Sequence, residues 1–551
     1  MSAIDWTVLA ATLGAIVGYG LWQERGTKSA AAFLGSAREL KWWTVGLSVM
    51  ATQASAITFL SMPGQAYEDG MGFVQFYFGQ PIAMIVLCLV IVPIYYRLKV
   101  VTAYEYLEQR FDRKTRQLTA LLFLLSRGLA AGISIYAPAI VLEAVLGWPA
   151  RMTSVGVGAA VILYTVSGGS RIVSRTQTYQ MIVMLAGMAV AAMVVWTQLP
   201  RDLSFGAAID LAGALGKTQI VDTSLRFDTR YTLLSGLTGG LFVGLAYFGT
   251  DQSQVQRYLG GASLRESRLG LIMNGIVKVP MQLLILFCGV LVFLFYQFTA
   301  PPVSFARDRW ATTDAAARTA IDAKWQAAFA EKRAHIDAYL QDGSADARRD
   351  LQASAKQMGA IREEAKVLIG SATKDSDYIF IDFVVRRFPP GLVGLLLAVI
   401  LCASMSAVGS ALSALGTTSV VDFYKPSFRP NASEDQALKA AKIFTVAWGC
   451  IAIAFATFAV ALDNLIQAVN ILGSLFYGPM LGVFLVGFFL PRARANAAFF
   501  GLIAAEIAVI SVFIFSNIGF LWYNVIGCAV IVIVALLGSA HGTPQSTQMP
   551  S

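Results

Sequence analysis

Thr52, Gln53, Ser55 and Thr58 stand inside residues 46–64, GLSVMATQASAITFLSMPG, a stretch otherwise apolar enough to lie in a bilayer. Hydroxyls, one amide and bare alanines offer neutral oxygens and hydrogen-bond donors, and nothing there titrates near neutral pH. Such a set suits the desolvation of a cation or the orientation of a polar solute rather than bond-breaking. The backbone adds to it. An unpaired amide or carbonyl in hydrocarbon is costly, so an interrupted helix at membrane depth persists only where something replaces the lost partners. A bound ion or solute is one such replacement. Close helix packing by small residues is the other reading of the same cluster.

The elements that must position these residues follow from composition. The chain has 551 residues, 56% of them hydrophobic and 14% charged, with mean hydropathy +0.63. No soluble domain of this length buries so much apolar surface, so the chain reads as a polytopic helical membrane protein. The first apolar run, Trp6 to Trp22, lacks a basic leader and a small-residue cleavage site and reads as a retained helix. Five cysteines scattered through apolar segments imply neither a metal site nor disulfides. The two histidines, His335 and His541, lie outside the spans, which excludes a histidine-based centre in the membrane. The net charge of +9 is read by its placement, not as a sign of nucleic acid.

Thirteen spans are expected, near residues 4–22, 43–63, 73–97, 117–146, 150–168, 176–198, 232–257, 269–298, 389–421, 441–461, 465–490, 496–516 and 518–538. With the N-terminus outside, short inner connections hold about 21 Lys and Arg and short outer ones about 5, the bias of the positive-inside rule. The expected organisation is transmembrane over 1–298, an extracytoplasmic polar and helical insertion over 299–388, transmembrane over 389–538, and a disordered cytoplasmic tail over 539–551. The insertion mixes charges of both signs with many alanines, which favours solvated helices over a packed core. A spacer is the simpler reading of it, and partner docking or gating the other.

Residues 234–259 are loosened in the same way as 46–64, with Gly239, Gly240, Gly244 and Gly249 ahead of TDQSQ. Two interrupted helices about 190 residues apart, each opening a set of five spans, point to inverted repeats around a central site. Five pieces occur in order: MATQASAITFLSMPGQAY, VPIYYRLKVVTAYEYLEQRF, YTVSGGSRIVSRTQTYQ, GTDQSQVQRYL and SMSAVGSALSALGTTSVVDFY. Together they make the chain resemble the sodium/solute symporter family over nearly all of residues 1–538 outside the insertion. The resemblance implies an all-α LeuT-like fold: two inverted five-helix repeats, one helix before them and two after.

The resemblance also implies a sodium ion, held by carbonyls of Ala51, Ala54 and Ala403 and by the Ser406 hydroxyl. Neutral oxygens freed at a helix break suit such a cation. Two positions depart from the family pattern. Ala407 stands where a second hydroxyl is usual, so a water or another hydroxyl such as Ser410 is the expected substitute. Gln177 stands where an aspartate is common, which removes a charge that would hold a second cation and favours a single sodium. Substrate-lining positions fall on Gln53, Ser55, Thr58, Phe73, Tyr77, Tyr247, Phe248 and Asn470. Arg127 is either a contact for a substrate carboxylate or a snorkelling side chain, since a charge within a span costs at least about 2.5 kcal/mol. Lys278 is expected to reach the interface or a carbonyl.

The expectation is a sodium-driven symporter of the inner membrane, N-terminus outside and C-terminus cytoplasmic, importing a small organic solute, anionic or a sugar. A sodium-independent uniporter or a proton-coupled transporter of the same fold is the alternative, although no carboxylate stands out well inside a span. Expected partners are the solute and the lipid bilayer, with no nucleic acid and a monomeric chain. An enzyme would need convergent titratable groups, and a channel would need recurrent filter residues; neither pattern occurs.

Overall fold

Apolar runs near twenty residues, divided by short polar turns, give helices, because every backbone group is then paired within its own segment. The computed structural model describes residues 1–23, 33–34, 38–370, 375–458 and 465–539. Among these residues the order is α1 (Ala3–Gln23), α2 (Trp42–Gln53), α3 (Ala56–Asp69), α4 (Gln80–Val86), α5 (Arg113–Leu146), α6 (Ala150–Thr197), α7 (Gly239–Gly249), α8 (Gln252–Leu259), α9 (Leu264–Phe298), α10 (Ala315–Asp342), α11 (Ala345–Ile369), α12 (Ser376–Arg387), α13 (Leu392–Thr418), α14 (Glu434–Phe458), α15 (Leu465–Phe489), α16 (Ala495–Phe515) and α17 (Leu521–Ser539), with short helices between. Among the described residues ten helices are long and apolar enough to cross a membrane, and the two bent pairs, each taken as one span, raise this to 12. The shorter apolar stretch Ala3–Tyr19 of α1 accounts for the remaining expected segment. The expected tail from residue 540 lies outside the described residues.

Both expected breaks are present. α2 and α3 meet at 61°, and the pair Leu233–Gly249 and Gln252–Leu259 meets at 63°. At the first break Ser55 is extended (φ −80°, ψ 172°), which ends the ladder after Gln53 and restarts it at Ala56. At the second, the Asp251 carboxylate accepts from Ser253 N at 2.9 Å and so caps α8. The carbonyls freed there are satisfied by protein: Tyr95 donates to Gly249 O at 2.7 Å and Tyr104 to Thr250 O at 2.9 Å. Tyr95 comes from the end of the third span and Tyr104 from the segment that follows it. α6 also turns within its length, at Gly169 with φ 57° and ψ −150°. A side chain there would meet the Phe33 ring, and the positive φ itself favours glycine.

Glycines set how closely the broken helices pack. A Cβ at Gly289 of α9 would lie 2.1 Å from the Pro63 carbonyl oxygen of α3. One at Gly79 would lie 2.1 Å from Leu241 N of α7. Backbone cannot yield as a side chain does, so Gly289→Ala is expected to cost about 1–3 kcal/mol through overpacking. Thermal unfolding in detergent measures this, with Gly359→Ala as the control. Gly359 sits inside α11 with nothing within 4 Å of its Cβ, where alanine should instead stabilise by about 1 kcal/mol.

The insertion departs from expectation. α10 and α11 form a hairpin turning at Gly343 (φ 64°), and they enclose a small apolar cluster that includes Trp310, Ile321, Trp325 and Met358. It is docked as well as packed. Tyr339 donates to Asp210 at 2.9 Å and Gln352 to the Ala214 carbonyl at 2.7 Å. Arg362 pairs with Asp375 at 2.7 Å and lies 3.8 Å from Glu68 at the end of α3. Burial along this seam pushes the Lys217 and Lys332 ammonium groups down to about 8.

One carboxylate escaped the sequence reading. Glu506 lies midway along α16, and neither of its oxygens has a hydrogen-bond partner.

Candidate functional site

The first break faces α13 and α6. Ser406 Oγ donates to the Ala51 carbonyl at 2.9 Å, so the hydroxyl and the last turn of α2 meet directly. Ala54 lies in the break and Ala403 three residues before Ser406, both fully buried. The chemistry of these groups fits a hard monovalent cation: carbonyl and hydroxyl oxygens, none of them charged, all on fully buried residues.

Ser410 goes elsewhere. Its hydroxyl accepts from Gln177 Nε2 at 2.6 Å and lies 3.0 Å from Thr52 Oγ1. The same amide nitrogen reaches Thr52 Oγ1 at 3.0 Å, Ser406 Oγ at 2.9 Å and the Ser406 carbonyl at 3.1 Å. Ser48 donates to Gln177 Oε1 at 2.5 Å. Two amide protons therefore serve four converging oxygens, and the carbonyl end of the side chain is satisfied too. The position where the family pattern has a carboxylate holds a neutral donor that fills its own oxygen cage.

The expected substrate-lining residues fall into two groups. Around the first break, Gln53 Nε2 donates to Gln80 Oε1 at 3.3 Å. Gln53 and Ser55 keep partial exposure while Thr58 is buried. Phe73 and Tyr77 meet edge to face at 6.0 Å, alongside Phe76. Around the second break, Tyr247 and Phe248 are 5.0 Å apart, and Tyr247 lies 5.8 Å from Tyr477 of α15. Asn470 is half-buried near the start of α15, with Nδ2 unpartnered.

Arg127 does not snorkel to a membrane surface. It pairs with Asp251, which lies in the second break and not at a span end, and it also donates to Tyr477 at 3.0 Å. Tyr477 in turn donates to Asp251 at 3.1 Å. The guanidinium lies 5.3 Å from the centre of the Tyr247 ring. Its charge is thus balanced inside the protein. Lys278 also departs from expectation. It is fully buried, its Nζ reaches neither the interface nor a carbonyl, and it has no hydrogen-bond partner.

Sequence reasoning missed Gln80, Gln282, Ser48 and Tyr477 as neighbours of the site. The signal for Lys278 and Gln282 was available: two polar residues one helical turn apart in an otherwise apolar span.

With this geometry in hand, the chain can be set beside known proteins. The profile of the sodium:solute symporter family matches residues 33–320 and 355–505. The human sodium/iodide cotransporter is 27% identical, with 91% of this chain and 68% of that protein aligned. The sodium/sialic acid symporter SiaT of Proteus mirabilis is 26% identical, over 97% of this chain and 94% of that one. A solved structure of a Na+-coupled sialic acid symporter, substrate-bound and outward-open, superposes with TM-score 0.78 at 23% identity, covering 98% of this chain and 99% of the other. That likeness gives the fold, a LeuT-like arrangement of two inverted five-helix repeats. By the family profile across most of its length, the chain belongs to the sodium:solute symporter family.

Proposed function

We propose that this sodium-coupled symporter imports a small organic solute across the bacterial inner membrane by alternating access, one sodium ion accompanying each solute. The observation that carries the reading is the junction of Ser406 with the Ala51 carbonyl at the break between α2 and α3. Carbonyls of Ala51, Ala54 and Ala403 with the Ser406 hydroxyl would hold the ion, which supplies a positive charge that the freed peptide oxygens can bind without reorganising. Ser410 belongs to the Gln177 cage, and an amide there supports a single ion, because the protons of Gln177 already satisfy Ser410 Oγ and Thr52 Oγ1, oxygens a second cation would need. Gln53, Ser55, Thr58, Phe73 and Tyr77 face the solute from the first break, with Tyr247, Phe248 and Asn470 on the opposing side. Arg127 is assigned to holding the second break through Asp251 and not to the solute.

Solute and ion couple because each favours the same arrangement of the break, and that coupling is reciprocal. The placement of Lys and Arg supports N-terminus outside and C-terminus cytoplasmic. The working unit is taken as a monomer in the bilayer.

Ser406→Ala is expected to raise the sodium concentration for half-maximal response about tenfold, the loss of one good ligand. The readouts are the sodium-dependent shift in melting temperature against potassium, and solute uptake into proteoliposomes with and without an inward sodium gradient. An unchanged sodium midpoint in the variant would overturn the ion site. Uptake indifferent to the gradient would overturn symport in favour of uniport.

A further inference from the structure

Arg127, Arg257 and Lys278 are basic side chains buried among the spans, and their surroundings differ. Arg127 has the Asp251 carboxylate. Arg257 donates to the Ser170 carbonyl at 3.0 Å, to Ser174 Oγ at 2.7 Å and to Gln256 Oε1 at 3.0 Å. Lys278, fully buried, has neither a carboxylate nor a hydrogen-bond acceptor. Among the described residues, the cation-binding neighbour it does have is the face of Tyr77, whose ring centre is 5.5 Å from Nζ. An ammonium taken out of water loses several kcal/mol of hydration, which a ring face recovers only in part.

The location gives this imbalance a meaning. α9 runs alongside α2 and α3: Gly46 touches Gly270 and Met273, and Pro63 touches Gly289. Residues 278–282 are therefore level with the break at Ala54 and Ser55. Around the same point other buried polar atoms lack partners: Gln53 Oε1, Gln80 Nε2 and both amide atoms of Gln282. Gln53 and Gln80 are bonded to each other, and Gln282 lies beside the Tyr77 hydroxyl. A positive charge, two amide NH2 groups and two amide oxygens thus converge unsatisfied at the midplane. Folded proteins rarely leave so many buried polar groups unpaired in one place.

We propose that Lys278 is the counter-charge for a carboxylate on the transported solute, with the amides of Gln80 and Gln282 as further donors to it. The acceptors Gln53 Oε1 and Gln282 Oε1 then suit a hydroxyl or amine elsewhere on the same molecule. The solute class is a small monocarboxylate carrying such a group, and neutral sugars are selected against because they leave the ammonium unpaired. This rests on the midplane break being the solute site.

The test measures melting temperature of the purified full chain with lactate, pyruvate and nicotinate, each against its neutral amide, in sodium and in potassium, with sodium iodide as the inorganic arm. In sodium at least one carboxylate should stabilise the wild type while its amide does not. Lys278→Gln should weaken that response about a hundredfold in midpoint, as expected when one partner of a buried charged hydrogen bond is removed, and Lys278→Arg should retain part of it. Lys278→Met should melt a few degrees higher than wild type without solute, since an unpaired charge has gone; a structural lysine would give the opposite sign. Sodium alone should shift wild type and Lys278→Gln equally, so loss of the carboxylate effect bears on Lys278 and not on the ion site. A carboxylate response that vanishes in Lys278→Gln but ignores sodium would keep the anion subsite and overturn symport. Equal responses to acid and amide, no response to any carboxylate, a full response to iodide alone, or an unaltered Lys278→Gln would each overturn the inference.

Discussion

Gln177→Asp is expected to convert a one-sodium dependence into a two-sodium one. In the wild type the amide nitrogen lies 2.6–3.1 Å from Ser410 Oγ, Ser406 Oγ, Thr52 Oγ1 and the Ser406 carbonyl. Aspartate removes both protons and adds a negative charge, leaving oxygens facing one another in a buried volume. Only a cation settles that arrangement, and sodium is the abundant one. The Hill coefficient for sodium should rise from about one to about two, and in potassium the variant should be less stable by about 3 kcal/mol, the scale for an uncompensated buried charge. Sodium should restore most of that loss. Gln177→Leu separates charge from donor loss: it should be destabilised in either salt, since each orphaned buried polar group costs about 1–3 kcal/mol. A Hill coefficient that stays near one in the aspartate variant, with no sodium rescue, would refute the cage reading.

Breaking the pair at the second break should give the largest single loss of stability. Asp251→Ala leaves the Arg127 guanidinium with Tyr477 and the Tyr247 ring face, and it also uncaps α8. Removing one partner of a buried ion pair costs about 3–5 kcal/mol, and the lost cap adds about 1 kcal/mol. Arg127→Met should cost less, because Asp251 still accepts from Ser253 N, Ser253 Oγ and Tyr477. The double variant Arg127→Met with Asp251→Asn should be more stable than Asp251→Ala, since no unpaired charge remains and asparagine still caps. If instead the three variants melt within a degree of wild type, the pair carries no stability and Arg127 is free for another task.

The sequence displayed the breaks because they violate local rules: hydroxyls and an amide at 52–58, and glycines before TDQSQ, stand in runs that should be uniformly apolar. It displayed Gln177 for the same reason of type, but not what the amide does, since its partners come from two other segments, α2 and α13. The mate of Arg127 was hidden by a separation of 124 positions. Asp251 is the acid of TDQSQ, at the break those glycines announce, but nothing in composition ties it to Arg127. Tyr95 and Tyr104 sat in plain view within a family motif; that they close the second break follows from their reach alone. The insertion misled because its apolar residues are sparse. Ile321 and Trp325, one turn apart, face Met358 and Ala365 two turns apart on the next helix, a seam too short to lift the average hydropathy. Glu506 was simply overlooked, a lone acid amid residues 495–515.

Backbone against backbone leaves no slack. Where Gly79 meets Leu241, Gly240 meets Phe76 O and Gly236 meets Gln75 O, there are no side chains to change rotamer and absorb a slide. α4 with its approach and the first half of the second broken helix therefore travel as one plate. Pro63 on Gly289 fastens the outer part of the first broken helix to α9 in the same manner. The strokes that open one face and shut the other are left to the seams joined through side chains, against α5, α13 and α15, and that is where lubricating or jamming substitutions will tell.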